Sequence, residues 1–184
     1  ATLAAFSAYN VANNINTASA TDTLNLTASP VYTGLSGILP VLSHTVNGIK
    51  LNGDALSIAA SQPMATLNVT SGGFIATGAT ATGASISVPV LALGAAEGVF
   101  HIDTNGGFAT SISSSITGTG GLTKAGAGSL TLSGQLAYTG ATTVNTGTLN
   151  LNSASGTLPT ATAPTLSNLS VNEGGTLNLG VNSA

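Results

Sequence analysis

His101 and Asp103 are the one pair of side chains in this sequence whose types and spacing suit acid-base chemistry. In a strand, residues at i and i+2 share a face, so an imidazole and a carboxylate would stand side by side there. Such a pair suits the cleavage of polysaccharides, which needs a proton donor and acceptor and usually a second carboxylate or a cation for acidic sugars. The other acids, Asp22, Asp54, Glu97 and Glu173, are scattered along the chain, and His44 is far from His101. The pair therefore reads as the polar face of a strand, and no catalytic residue is assigned. Ser, His and Asp could be combined from almost any Ser-rich chain, so such a triad carries no weight.

No metal or cofactor is expected. There are no cysteines, two distant histidines, and no Asp-rich calcium-loop pattern. The Gly-rich run from Gly118 to Gly128 looks like a phosphate loop but lacks the closing Gly-Lys-Ser/Thr. Asn25-Leu26-Thr27, Asn68-Val69-Thr70 and Asn168-Leu169-Ser170 are glycan acceptor sequons of the kind expected by chance in a chain this rich in Asn and Thr. Thr80-Ala81-Thr82 and Thr160-Ala161-Thr162 are pairs of the kind that line ice-binding solenoids. That use needs a flat, in-register ladder, and these two pairs share no period.

The composition narrows the class. Of 184 residues, 4% are charged and 42% hydrophobic, with 24 glycines, whereas ordinary domains carry about 25% charge. Lys50 and Lys124 are the only lysines and there is no arginine, against five acids. A chain so poor in cations is no partner for nucleic acid. Its hydrophobic content excludes a charge-solvated disordered chain. The longest apolar stretch, Val88 to Ile102, is broken by Pro89, Gly94, Glu97 and Gly98, so no transmembrane helix is expected. An outer-membrane barrel is disfavoured because 4% aromatics supply no girdles.

Positioning falls to strands. Short alternating runs recur, among them Thr23–Leu26, Ile49–Leu51, Leu67–Val69, Leu130–Leu132, Leu149–Leu151 and Leu177–Leu179, bounded by Gly, Asn or Ser turns. The turns repeat too. Thr143–Leu151 matches Ser170–Leu179 with one inserted Gly, and Leu67–Phe74 is similar to Phe100–Phe108, at offsets of about 27 and about 33. Such offsets predict stacked coils of about 20 to 30 residues, on the order of six to nine in all, each strand pairing with its equivalent one coil away. Residues 1–20, with Leu3, Phe6 and Tyr9 among alanines, read as a short helix, an irregular lead-in or a cap; the solenoid is expected over 21–184. Ser153–Thr165, with Pro159 and Pro164, reads as an extruded loop, and Pro30 and Pro40 mark a bulging connection.

Over residues 118–151, Leu122-Thr123-Lys124, Gly126, Gly128, Leu130–Gly134, Tyr138-Thr139-Gly140 and Gly147-Thr148-Leu149 closely resemble the autotransporter-associated β-strand repeat of bacterial passenger domains. Residues 168–180 are similar to its last part. The resemblance implies an all-β, right-handed parallel β-helix, secretion or cell-surface display, and a scaffold without a catalytic set. These residues include neither the translocator barrel nor the leader of a whole autotransporter, so the expectation is either a piece of a larger passenger or a short protein that uses the repeat alone.

A β-helix presents an unpaired strand edge at each end, which needs covering. The functional expectation is therefore a non-enzymatic extracellular structural protein whose solenoids stack head to tail into a filament or surface layer. Its self-assembly edges are expected at Leu3, Phe6, Tyr9, Leu177, Leu179 and Val181. The partner is then another copy or adjacent segments of a larger passenger; an adhesin that shows the Ser153–Thr165 loop to glycans or a cell surface is the alternative. A carbohydrate-active enzyme and an ice-binding solenoid rank below these.

Overall fold

The computed structural model describes residues 11–12, 20, 23–27, 32–33, 43–59, 66–78, 83–103, 107, 109–152 and 169–180. The chain enters through β1 (Val11–Ala12), β2 (Thr23–Thr27) and β3 (Tyr32–Thr33). Five triplets follow: β4 (Ser43–Val46), β5 (Gly48–Asn52) and β6 (Ser57–Ala59); β7 (Thr66–Val69), β8 (Gly73–Thr77) and β9 (Ser85–Ile86); β10 (Val90–Ala92), β11 (Gly98–Ile102) and β12 (Ala109–Ile112); β13 (Ser115–Gly118), β14 (Leu122–Ala125) and β15 (Ser129–Leu132); and β16 (Leu136–Tyr138), β17 (Thr142–Val144) and β18 (Gly147–Leu151). The last described strands are β19 (Leu169–Val171) and β20 (Gly175–Leu179).

Each strand pairs in parallel with its counterpart one coil away, which builds three sheets. The eight-stranded sheet runs β1-β2-β5-β8-β11-β14-β17-β19, the seven-stranded sheet β20-β18-β15-β12-β9-β6-β3, and the five-stranded sheet β16-β13-β10-β7-β4. Every triplet visits the five-, eight- and seven-stranded sheets in that order. Among the described residues five complete rungs, four turns from first to last, thus form an all-β parallel solenoid, for which right-handed crossovers are the rule. Side-chain hydrogen bonds between neighbouring rungs span 23 to 28 residues over most of the solenoid and 19 to 22 between the fourth and fifth rungs.

Alternation explains why these stretches form strands. β7, β11 and β15 bury every second residue, the pattern of a sheet with one face on a core. Inward residues then stack on their own kind. Leu67, Leu91, Ile116 and Leu136 form one column, and Ile58, Ile86, Ile112, Leu132 and Leu151 another. In the eight-stranded sheet Ile49, Phe74 and Phe100 are in register, the two rings 5.5 Å apart and tilted by 41°, a favourable aromatic arrangement.

The corners need glycine where a coil turns tightly over the one below. Gly126, between β14 and β15, has φ +72°, and a Cβ there would overlap the Ile102 carbonyl.

The Thr143–Leu151 and Ser170–Leu179 repeat is structural: Val144 pairs with Val171, Leu149 with Leu177 and Leu151 with Leu179, and the inserted Gly174 takes φ +83° in the turn. The match between Leu67–Phe74 and Phe100–Phe108 is not. Leu67 stacks on Leu91 while Phe100 stacks on Phe74. An offset of about 33 exceeds one coil and carries a strand onto the next sheet. Within residues 1–20, Val11–Ala12 is a strand paired with Thr23–Leu24. The loop expected at Ser153–Thr165 and the prolines Pro30, Pro40, Pro159 and Pro164 lie outside the described residues. Among the described residues no helix is long and apolar enough to cross a membrane.

Truncating Phe100 to Ala should lower stability by about 3–5 kcal/mol in denaturant unfolding. Thr143→Ala, on the outer face of β17, should change it by less than about 0.5 kcal/mol. Equal sensitivity of the two sites would contradict the inward column.

Candidate functional site

His101 lies on the outward face of β11, between the buried Phe100 and Ile102. Asp103 follows the strand, its backbone N–H donating to the Ala76 carbonyl at 3.0 Å. The register neighbours of His101 are Ile75 and Ala125, so among the described residues no carboxylate flanks it in the sheet. Asp54 sits in the β5–β6 turn, Glu97 precedes β11 and accepts a hydrogen bond from the Thr123 hydroxyl, and Glu173 sits in the β19–β20 turn. Among the described residues no three His, Asp or Glu side chains converge as a metal site.

An open groove of about 420 Å³ runs over the five-stranded sheet, lined by Thr45, Asn68, Thr70, Leu93 and Gly94 among others, with no titratable group. Asn68 crosses between rungs there, its Nδ2 donating to the His44 carbonyl and to Thr45 Oγ1, both at 3.3 Å. Of the three sequon asparagines, Asn68 is thus tied to its neighbours, Asn25 has its Oδ1 buried, and Asn168 lies outside the described residues. So do Thr80-Ala81-Thr82 and Thr160-Ala161-Thr162.

The expected assembly edges divide in the same way. Leu3, Phe6, Tyr9 and Val181 lie outside the described residues. Leu177 and Leu179 lie in β20, which ends the seven-stranded sheet, as β19 ends the eight-stranded one. Their columns are core columns one rung earlier: Val144 and Leu151 are 0% and 8% exposed, whereas Val171 and Leu179 are 45% and 55% exposed. Leu177 packs partly against the core. Polar ladders run out to the same rung, Asn178 Nδ2 donating to Asn150 Oδ1 at 2.8 Å and Asn172 Nδ2 to Asn145 Oδ1 at 2.6 Å.

Lys124, read from sequence as one of two cations and as part of the repeat match, is the one buried charged side chain among the described residues. It points inward in β14, stacked between Phe100 and Val144, and is 0% exposed. Its Nζ donates to the carbonyls of Ala125 at 2.9 Å, Gly126 at 2.7 Å and Thr146 at 3.2 Å. Three N–H donors meet three acceptors, so the ammonium is satisfied without a carboxylate and ties two consecutive corners together. The signal was available: Leu122 faces inward, and Lys124 is at i+2 on the same strand. At the opposite corner of this coil, the buried Tyr138 hydroxyl and Thr142 Oγ1 are 2.6 Å apart.

Burial pulls the Lys124 pKa down from 10.5 to about 8 and pushes that of Tyr138 up. Between pH 8 and 10.5 the unfolded chain holds a proton that the folded chain has released, so stability rises with pH through this window. Below it both states are protonated and the dependence vanishes. Tyr138 acts in the opposite sense once pH passes the ordinary tyrosine value of 10.0. Unfolding free energy should therefore increase between pH 8 and 10 by up to about 1.4 kcal/mol per pH unit. Lys124→Met should abolish that slope and, by stranding buried carbonyls, cost on the order of 3 kcal/mol at pH 7. An unchanged slope in the variant would assign the effect elsewhere.

The chain matches no curated protein and no solved structure. One family model does match, over residues 122–151, and its description is the passenger-associated-transport repeat. These residues take in the short fourth-to-fifth-rung coil together with Lys124, Tyr138 and the Gly126 corner, so this part of the solenoid carries the autotransporter passenger repeat that the sequence resembles.

Proposed function

We propose that this chain is a non-enzymatic scaffold segment of a secreted or cell-surface passenger, and that its solenoid extends by stacking end to end on a second copy of itself. The passenger repeat and the β-solenoid support the broader reading, including the location. One observation carries the finer one. The inward residues of the last described rung keep core chemistry while Val171 and Leu179 stay about half exposed. A strand edge lined by apolar side chains is a template for another strand. A second rung placed there would continue both the backbone ladder and the side-chain columns, at the cost of no buried charge. Because one end of the solenoid meets the other, the contact is heterologous and propagates as a filament.

Sedimentation and negative-stain electron microscopy of the purified chain test this. Wild type should form rods that lengthen with concentration at constant width. Val171→Lys combined with Leu179→Lys should leave single rods with unchanged circular dichroism. Wild-type protein that stays a lone rod at every concentration would overturn end-to-end stacking.

A further inference from the structure

Among the described residues, the outward face of the seven-stranded sheet carries aligned columns of Ser, Thr and Asn. Its central column is Ser57, Ser85, Ser111, Thr131, Asn150 and Asn178, in register from β6 to β20. Beside it runs a second column, Ser87, Ser113, Ser133 and Asn152, whose backbone N–H groups bond the carbonyls of Ile58, Ile86, Ile112 and Leu132 in the rung before. On the other side Ser129, Thr148 and Thr176 line up as a third. Strand spacing puts neighbours in a column about 4.8 Å apart, and two residues of parallel strand put the columns about 6.6 Å apart. No position in these columns is charged or aromatic. Lys50, His101 and Asp103 lie instead at the eight-stranded sheet.

The chemistry of this grid selects its occupant. A second copy of the chain would bury little apolar surface against it, and apolar burial is what drives such pairing. A sugar polymer would find no ring to stack on. What matches a rigid, uncharged, two-dimensional array of hydroxyl and amide groups is an equally rigid array of hydrogen-bonding oxygens with similar repeats, and the lattice of ice supplies oxygen rows near both spacings. Part of the array is held in place from within, Asn150 Nδ2 donating to Ser129 Oγ at 2.9 Å and to Thr131 Oγ1 at 3.3 Å. Such fixed groups can anchor ordered water at little entropic cost.

We infer that the outward face of the seven-stranded sheet is an ice-binding surface. This is independent of end-to-end stacking, which lengthens the grid without creating it.

The test uses the whole chain and ice itself. Thermal hysteresis and ice-crystal shaping are measured for wild type, for Ser111→Tyr and Ser113→Tyr at exposed positions in mid-grid, and for Thr143→Tyr on the eight-stranded sheet. Circular dichroism and melting confirm that each is folded. Wild type and Thr143→Tyr should show hysteresis and faceted crystals, and both mid-grid variants should lose them. The two mid-grid variants are separate, so misfolding of one leaves the other to decide. Wild type without hysteresis or crystal shaping overturns the inference, as does activity that survives both mid-grid changes. Retention on insoluble cellulose without any effect on ice overturns it in favour of a glycan surface.

Discussion

The structure depends on one constraint: no strand here can satisfy its backbone within its own coil. Each coil is three short strands facing three directions, so every N–H and C=O that is paired in a sheet is paired with the coil before or after. Because buried backbone polar groups must be paired, the coils have to stack in register, and register turns each inward position into a column. Ile on Ile, Phe on Phe and Leu on Leu follow from that. So does the glycine at the β14–β15 corner, where the coil beneath leaves no room for a Cβ.

The same constraint gives the buried lysine its place. Where side-chain hydrogen bonds between rungs span only 19 to 22 residues, two consecutive corners close tightly and bring three carbonyls, two from one and one from the next, around a single side chain. An aliphatic side chain would leave those carbonyls without donors. Lys124 fills the column with its methylene stem and meets the carbonyls with its ammonium, which stabilises the corner without a counter-ion. The passenger-repeat match covers this coil. The outward columns of the seven-stranded sheet are left to uncharged side chains, which hydrate a stacked column without like-charge repulsion between rungs.

Much of this was legible in the residues. Alternation in Leu67–Val69, Leu130–Leu132 and Leu177–Leu179 identified strands, and the turn matching of Thr143–Leu151 with Ser170–Leu179 identified a true stacking pair. The match of Leu67 with Phe100 misled because each coil contains three strands with similar Gly turns, and local likeness does not say which sheet a strand joins. The Ser, Thr and Asn grid was hidden for a different reason. From β6 to β20, side chains in register are separated by anything from 19 to 28 residues, so no fixed period reveals a column. Lys124 was harder to place, since lysine is almost never fully buried unless paired, and only the inward-facing Leu122 two residues before it on the strand points it to the core.

Register is the central claim, and the absence of native cysteine makes it directly measurable. Ser111 and Thr131 are register partners on adjacent rungs, and parallel strands about 4.8 Å apart lie within the Cα separation that a disulfide spans. Cysteines at 111 and 131 should form an intramolecular disulfide under mild oxidation in the folded chain. Cysteines at 111 and 133, displaced by two residues along the strand, should remain reduced. Equal cross-linking of both pairs, or preference for the displaced one, would contradict an in-register stack.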